Sequence, residues 1–204
     1  MLIKNKGLKT DTFYLPPFEL NVGEIVVLSL SNGHHSYEAA TYLKDIFTGK
    51  TKDNHVLVNQ KLTYVEHFIE PKFRRLIYPV TVGEYLKRNA NSDSPYATKI
   101  YEDEWINKRT KVKTLAGNPR GLLRLYVALS KTNNIIFDLV GQDPNGVEQT
   151  YNTVKKEASR GGAAILLDYL DGMKSDCTQY VEVEWEKAIR KDTIGIKGWK
   201  STSR

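Results

Sequence analysis

The sequence predicts an α/β domain built on a largely parallel sheet, and three observations predict it. Three nearly continuous apolar runs, EIVVLSL (24–30), NIIFDLV (134–140) and AAILLDYL (163–170), have the composition of strands buried on both faces. Helical patterns stand between them, and short turns rich in Gly and Asn join the pieces. Buried strands alternating with helices give a parallel sheet with helical crossovers.

The elements follow in order. FEL (18–20) and the first apolar run read as strands split by a turn at Asn21-Val22-Gly23. A helix is expected from Ser36, with Ser36 as its cap and Gly49 as its end; Ala39, Ala40, Leu43, Ile46 and Phe47 fall on one face. HVLVNQ (55–60) and LTYVEH (62–67) are strand-like, and TVGEYLKRN (81–89) is a short helix. NANSDSPYAT (89–98) reads as a loop. The densely charged KIYEDEWINKRTKVK (99–113) reads as a solvated helix. RGLLRLYVALSKT (120–132) is a strong amphipathic helix, and VEQTYNTVKKEA (147–158) puts Val147, Tyr151, Val154 and Ala158 on one helical face. Arg160-Gly161-Gly162 is a turn, and YVEVEW (180–185) alternates as an edge strand would.

Bulk properties narrow the function classes. The chain has 204 residues, is 40% hydrophobic and 26% charged, and carries a net charge of +6. That balance suits a soluble globular protein and mildly favours acidic partners without selecting one. Cys177 is the one cysteine, so no internal disulfide forms and a reducing compartment is expected. No apolar stretch is long enough to span a bilayer, and MLIKNKGLKT lacks a signal-peptide core, so a cytoplasmic protein without membrane insertion is expected. His34 and His35 are adjacent on a turn with no nearby Cys or His, and no metal site is expected there.

The stretch LSLSNGHHSYEAATYL (28–43) begins as a phosphate-binding loop does, with a strand, a small-residue turn and a helix start. Other segments extend the likeness. TVGEYL (81–86) resembles the segment after a glutamine loop. TLAGNPRGLLRLYVAL (114–129) resembles a Leu-Ser-Gly-Gly-Gln signature and its helix. NIIFDLV resembles a Walker B strand, QDPNGVEQ (142–149) a D-loop, RGGAAILLDYLDG (160–172) the strand before a switch histidine, and DCTQYVEVEWEKAI (176–189) a closing hairpin. In this order, from Leu15 to Ile189, the chain resembles the nucleotide-binding domain of ATP-binding cassette (ABC) proteins.

That resemblance implies a single ABC-ATPase-like P-loop domain over 1–204. It implies a largely parallel core sheet, an antiparallel β part and a small helical sub-domain at about 81–130. It also assigns positions. Asn32 and Gly33 match the phosphate loop, but Leu30 and His35 stand at its glycines, Ser36 at its lysine and Tyr37 at its magnesium ligand. With His34 and the Walker B residue Asp138, these would form a vestigial nucleotide site. Leu139 stands at the catalytic glutamate, Leu170 at the switch histidine and His67 at the glutamine-loop residue. Leu115, Ala116, Gly117 and Asn118 are signature-like, with Pro119 removing one backbone donor, and Asp143 is D-loop-like.

The groups that touch phosphate, magnesium and water are the altered ones. Removing one preorganised donor of this kind typically costs roughly a hundred- to a thousand-fold in rate. The sequence therefore leads to a pseudo-ATPase with no cofactor. It would bind a protein partner, either a membrane subunit, an active ATPase subunit or a second copy, and lie peripherally on the inner face of a membrane. FIEPKFRRLIYPV (68–80) is the candidate docking surface, with Phe68, Phe73, Arg74, Arg75 and Tyr78. Two alternatives remain at this point. One is an ATP-binding subunit using atypical residues such as His35, Lys50 or Lys52. The other is a nucleic-acid-binding module using PKFRR and NKRTKVK, although the acidic YEDE interrupts the basic run.

Overall fold

The computed structural model describes residues 1–31, 34–169 and 173–186. Its elements in chain order are β1 (Ile3–Asn5), β2 (Leu8–Lys9), β3 (Phe13–Leu15), β4 (Phe18–Leu20), β5 (Ile25–Ser29), α1 (Ser36–Phe47), β6 (Val56–Val58), β7 (Thr63–Tyr64), α2 (Lys72–Ile77), α3 (Val82–Asn89), α4 (Gly117–Leu129), β8 (Asn134–Phe137), α5 (Pro144–Ser159), β9 (Ala163–Asp168), β10 (Gln179–Glu182) and β11 (Glu184–Trp185).

The core is a five-stranded sheet in the order β10-β5-β9-β8-β7. Every pairing in it is parallel. Its apolar runs serve two faces because successive side chains point opposite ways. Ile25, Val27, Ile135, Phe137, Ala164 and Leu166 join one buried cluster with α4 and α5. Val26, Leu28, Ile136, Ile165 and Leu167 join a second cluster with α1 and the N-terminal strands. Those strands form two small antiparallel sheets, β4-β1-β6 and β11-β3-β2. Between residues 72 and 129 lie α2, α3 and α4 with 3-10 turns at Pro95–Ala97, Lys99–Glu102 and Val112–Thr114. The α/β class with its parallel core, antiparallel part and helical portion is thus present.

Four sequence expectations need correction. Residues 99–113 form no α-helix; they hold only 3-10 turns. Their anchors Ile100, Ile106 and Val112 are all buried and six residues apart, which no single helix face provides. YVEVEW is not one strand. Its first part runs parallel to β5, the Val183 N–H bonds Ser29 O, and β11 then joins β3 antiparallel. The closing hairpin is therefore absent as far as Glu186, and 187–189 lie outside the described residues. Finally, Ser36 is the first helical residue of α1 rather than its cap. His35 holds the cap position and makes no side-chain cap bond.

Candidate functional site

In a parallel sheet every strand ends at the same edge, and loops at that edge gather side chains from distant parts of the sequence. Here β5, β8 and β9 end beside one another. Beyond them lies a cleft of about 540 Å³ lined by Tyr37, Lys44, Tyr64, Glu66, His67, Ile69, Asp138, Val140 and Tyr169, among others.

Asp138 forms its floor. The side chain is 5% exposed, and three donors hold it. Tyr64 donates its hydroxyl to Oδ2 at 2.8 Å, His67 Nε2 meets the same oxygen at 2.8 Å, and Val140 N–H donates to Oδ1 at 3.1 Å. On its other side the His67 ring accepts at Nδ1 from Arg124 of α4. An Arg that donates to Nδ1 leaves Nε2 as the protonated nitrogen, so the row runs Arg124, His67, Asp138, each giving a hydrogen to the next. Burial alone would raise the Asp138 pKa. The His67 and Tyr64 bonds and the Val140 N–H outweigh it and hold the carboxyl below its ordinary range. The same pair acts in reverse on Tyr64, whose burial and anionic neighbour keep the phenol protonated far above its usual value. Tyr169 is pushed up to about 12, by burial first and then by Asp138 and Tyr37.

Around the start of α1 the described residues make contacts within the chain. Asn32 and Gly33 lie outside the described residues. Leu30 is buried in the second apolar cluster, and its N–H bonds Asp168 O at 2.7 Å. His34 is exposed. His35 Nδ1 lies 2.6 Å from Glu38 Oε2, so the first-turn carboxylate is engaged by its own loop. Tyr37 is solvent-exposed at the cleft mouth. Leu139 is half-buried and packs against the core, and Leu170 lies outside the described residues.

Lys50 and Lys52 lie past the far end of α1. Twelve helical residues span about 18 Å, which takes both lysines away from the loop. Lys50 instead sits 3.7 Å from Asp45. The lysine that does line the cleft is Lys44, 4.9 Å above the Tyr64 ring.

The signature-like and D-loop-like residues meet each other. Asn118 Nδ2 donates to Asp143 Oδ1 at 2.7 Å, and Asp143 N–H donates back to Asn118 Oδ1 at 3.0 Å. Asp143 also caps α5 by accepting from Gly146 N–H at 3.0 Å. Gly117 and Gly146 are fixed by these contacts. A methyl group at Gly117 would strike the Gly141 carbonyl oxygen, and one at Gly146 would strike the Asn118 amide. Ala116 takes the cap position of α4 with no side-chain bond, and Leu115 is buried.

The expected docking set divides. Phe68 turns inward against Tyr85, ring centroids 5.3 Å apart, and Arg74 pairs with Glu84. Phe73, Arg75 and Tyr78 face solvent. Sequence reasoning missed Tyr64, Arg124 and Lys44. Arg124 sat within an otherwise apolar helical face, and a buried charge there was the available signal.

No protein-family model matches the chain, and no curated protein matches it. Solved structures do match. The ATP-binding subunit of an ABC transporter superposes with a TM-score of 0.64 at 14% identity, covering 90% of this chain and 86% of that one. An ABC-transporter ATP-binding protein from Pyrococcus furiosus gives 0.65 at 15% identity, covering 88% and 96%. A nucleotide-free ATP-binding cassette gives 0.58 at 17% identity, covering 89% and 87%. Among the described residues, no helix is long and apolar enough to cross a membrane. The order of strands, the position of Asp138 at the sheet edge and these superpositions together give this chain the fold of an ABC-transporter ATP-binding domain.

Proposed function

We propose that this protein is a non-catalytic, ABC-like subunit that acts through protein contacts within a membrane transporter or envelope complex. It pairs there with a membrane subunit, an active ATPase or a second copy. One observation carries the reading. Asp138, at the position where the family places a magnesium-site carboxylate, has Oδ2 engaged by both Tyr64 and His67. Freeing it would break two bonds to a buried charge, each worth about 1.5–3 kcal/mol. The surroundings agree with this. Tyr37 offers a phenol where a short hydroxyl is needed, Glu38 adds negative charge at the helix start, and Leu139 cannot accept a proton. These residues do not fit a magnesium nucleotide. Gly117 and Asp143, which match the signature and D-loop, and Asn118, which replaces a signature glycine, have structural work within this chain.

Nucleotide binding by atypical residues has one observation in its favour, the ammonium of Lys44 in the cleft. Thermal melting with magnesium and millimolar ATP separates the readings. A ligand at a hundred times its dissociation constant stabilises the fold it binds by about 2.7 kcal/mol. The expected result is an unchanged melting temperature and no phosphate release. A clear upward shift overturns the empty-site reading, and turnover abolished by Asp138→Asn overturns the non-catalytic one.

A further inference from the structure

The short helix α2 buries none of its residues. Around it Ile69 is 86% exposed, Leu76 81%, Tyr78 79% and Phe73 76%, with Ile77 also open to solvent. Five large apolar side chains within ten residues form a ridge rather than a scatter of single exposed groups, and such a patch marks a contact surface.

The fold surrounds this ridge with positive charge. PKFRR and NKRTKVK are more than thirty residues apart in sequence, yet the structure brings them together. Val82 N–H bonds Thr110 O, Gly83 N–H bonds Lys108 O, and Lys113 Nζ donates to Arg75 O at 2.8 Å. Lys72, Arg75, Arg109, Lys111 and Lys113 therefore belong to one region. Asp103 and Glu104 stand exposed in the stretch before Asn107, whereas the two acids of 70–84 are occupied. Glu70 accepts from Val80 N–H at 2.6 Å, and Glu84 is paired with Arg74 and with Arg88, the latter at 2.7 Å.

We infer that this face contacts the headgroup layer of an anionic bilayer. The inference takes residues 68–80, expected from the sequence to meet a protein partner, and names a bilayer surface as what covers them. Aliphatic and aromatic side chains enter the headgroup–acyl boundary while lysines and arginines meet lipid phosphates and carboxylates. Phe73 and Tyr78 offer stacking planes, but the other three ridge residues, Ile69, Leu76 and Ile77, offer a nucleic acid neither a stacking plane nor a hydrogen bond and favour lipid. The contact is peripheral and needs no span.

Vesicle co-sedimentation of the full chain tests it, with phosphatidylcholine alone or with about a third phosphatidylserine added. Residues 187–204 carry Lys187, Arg190, Lys191, Lys197, Lys200 and Arg204 against Asp192, so charge alone could draw the chain to anionic vesicles. The decisive comparison is therefore the triple variant Phe73→Ser, Leu76→Ser, Tyr78→Ser, which keeps every charge. The expected result is binding to the anionic vesicles only, weakened at least about tenfold in the triple variant with its melting temperature unchanged. Absence of vesicle binding, or equal binding by the triple variant, overturns the inference. If vesicles are not bound but the triple variant loses a protein partner from host membranes, the docking surface stands and its lipid occupant falls. A melting shift with ATP bears on the empty-site reading alone.

Discussion

Asn118 and Asp143 hold each other in both directions, amide to carboxylate and backbone N–H to amide oxygen. They lie 25 residues apart, at the starts of α4 and α5, so the pair fixes two helix ends against each other. The bonds from Asn118 and then Gly146 hold the Asp143 carboxyl below its ordinary range. Asn118→Ala and Asp143→Ala should each lower stability, because each removes a helix cap or a hydrogen bond. A double-mutant cycle by denaturant unfolding should show the two losses to be non-additive. Strict additivity would mean that the pair is not coupled in solution.

Gly117→Ala should be more damaging than its place at an exposed helix start suggests. The new methyl group has to displace the Gly141 carbonyl, a backbone atom that cannot rotate away. Overpacking of this kind costs about 1–3 kcal/mol. Ala116→Gly, one residue earlier, serves as a neighbouring control. Equal midpoints for Gly117→Ala and the parent would contradict the close approach of the two loops.

Removing His67 should hurt more than removing the Tyr64 hydroxyl. Tyr64→Phe takes one donor from Asp138 and leaves His67 in place, for a loss of about 1.5–3 kcal/mol. His67→Ala strips a donor from Asp138 and leaves the guanidinium of buried Arg124 without its acceptor, a loss of about 3 kcal/mol or more. His67→Gln can bridge the same two neighbours and should recover part of it. Urea midpoints order the three variants, and the reverse order would remove His67 from the centre of the network.

The Asp138 carboxyl also sets an acid dependence. Its folded pKa lies below the ordinary 3.8. A depressed carboxyl contributes its full stabilisation above the unfolded value; the contribution fades as pH falls through the folded one. Stability measured between pH 5 and pH 2 should therefore drop more steeply for the parent chain than for Asp138→Asn. Parallel curves would show that Asp138 does not titrate as an engaged carboxylate.

Restoring a lysine should not restore a nucleotide site. Ser36→Lys leaves Leu30, His35, Tyr37 and the Asp138 network untouched, so calorimetric titration with magnesium-ATP should remain flat. Adding Leu30→Gly, His35→Gly and Tyr37→Ser reshapes the loop at a cost. Leu30 is 1% exposed, and losing a buried leucine side chain typically costs about 2–5 kcal/mol. The quadruple variant should melt well below the parent. Micromolar affinity in Ser36→Lys alone would mean that the loop already has a phosphate-ready shape.

The sequence by itself determined the α/β class, the parallel core and most of the long elements. β5, β8 and β9 are apolar runs, and α1 and α5 carry strong helical periodicity, signals that need no partner to be read. Strands β1 to β3 and helix α2 have two to six residues, too few for a period to register. The path of 99–113 was set by where three buried side chains found space, which local charge density does not encode. The missing phosphate-loop lysine was legible because a motif is local. Only the tertiary structure put Arg124, His67, Asp138 and Tyr64 in one row, joined Asn118 to Asp143, and gathered two distant basic segments beside the α2 ridge. Each of these depends on chain segments that meet through packing, and the side-chain pattern of one segment carries no record of which other segment will face it.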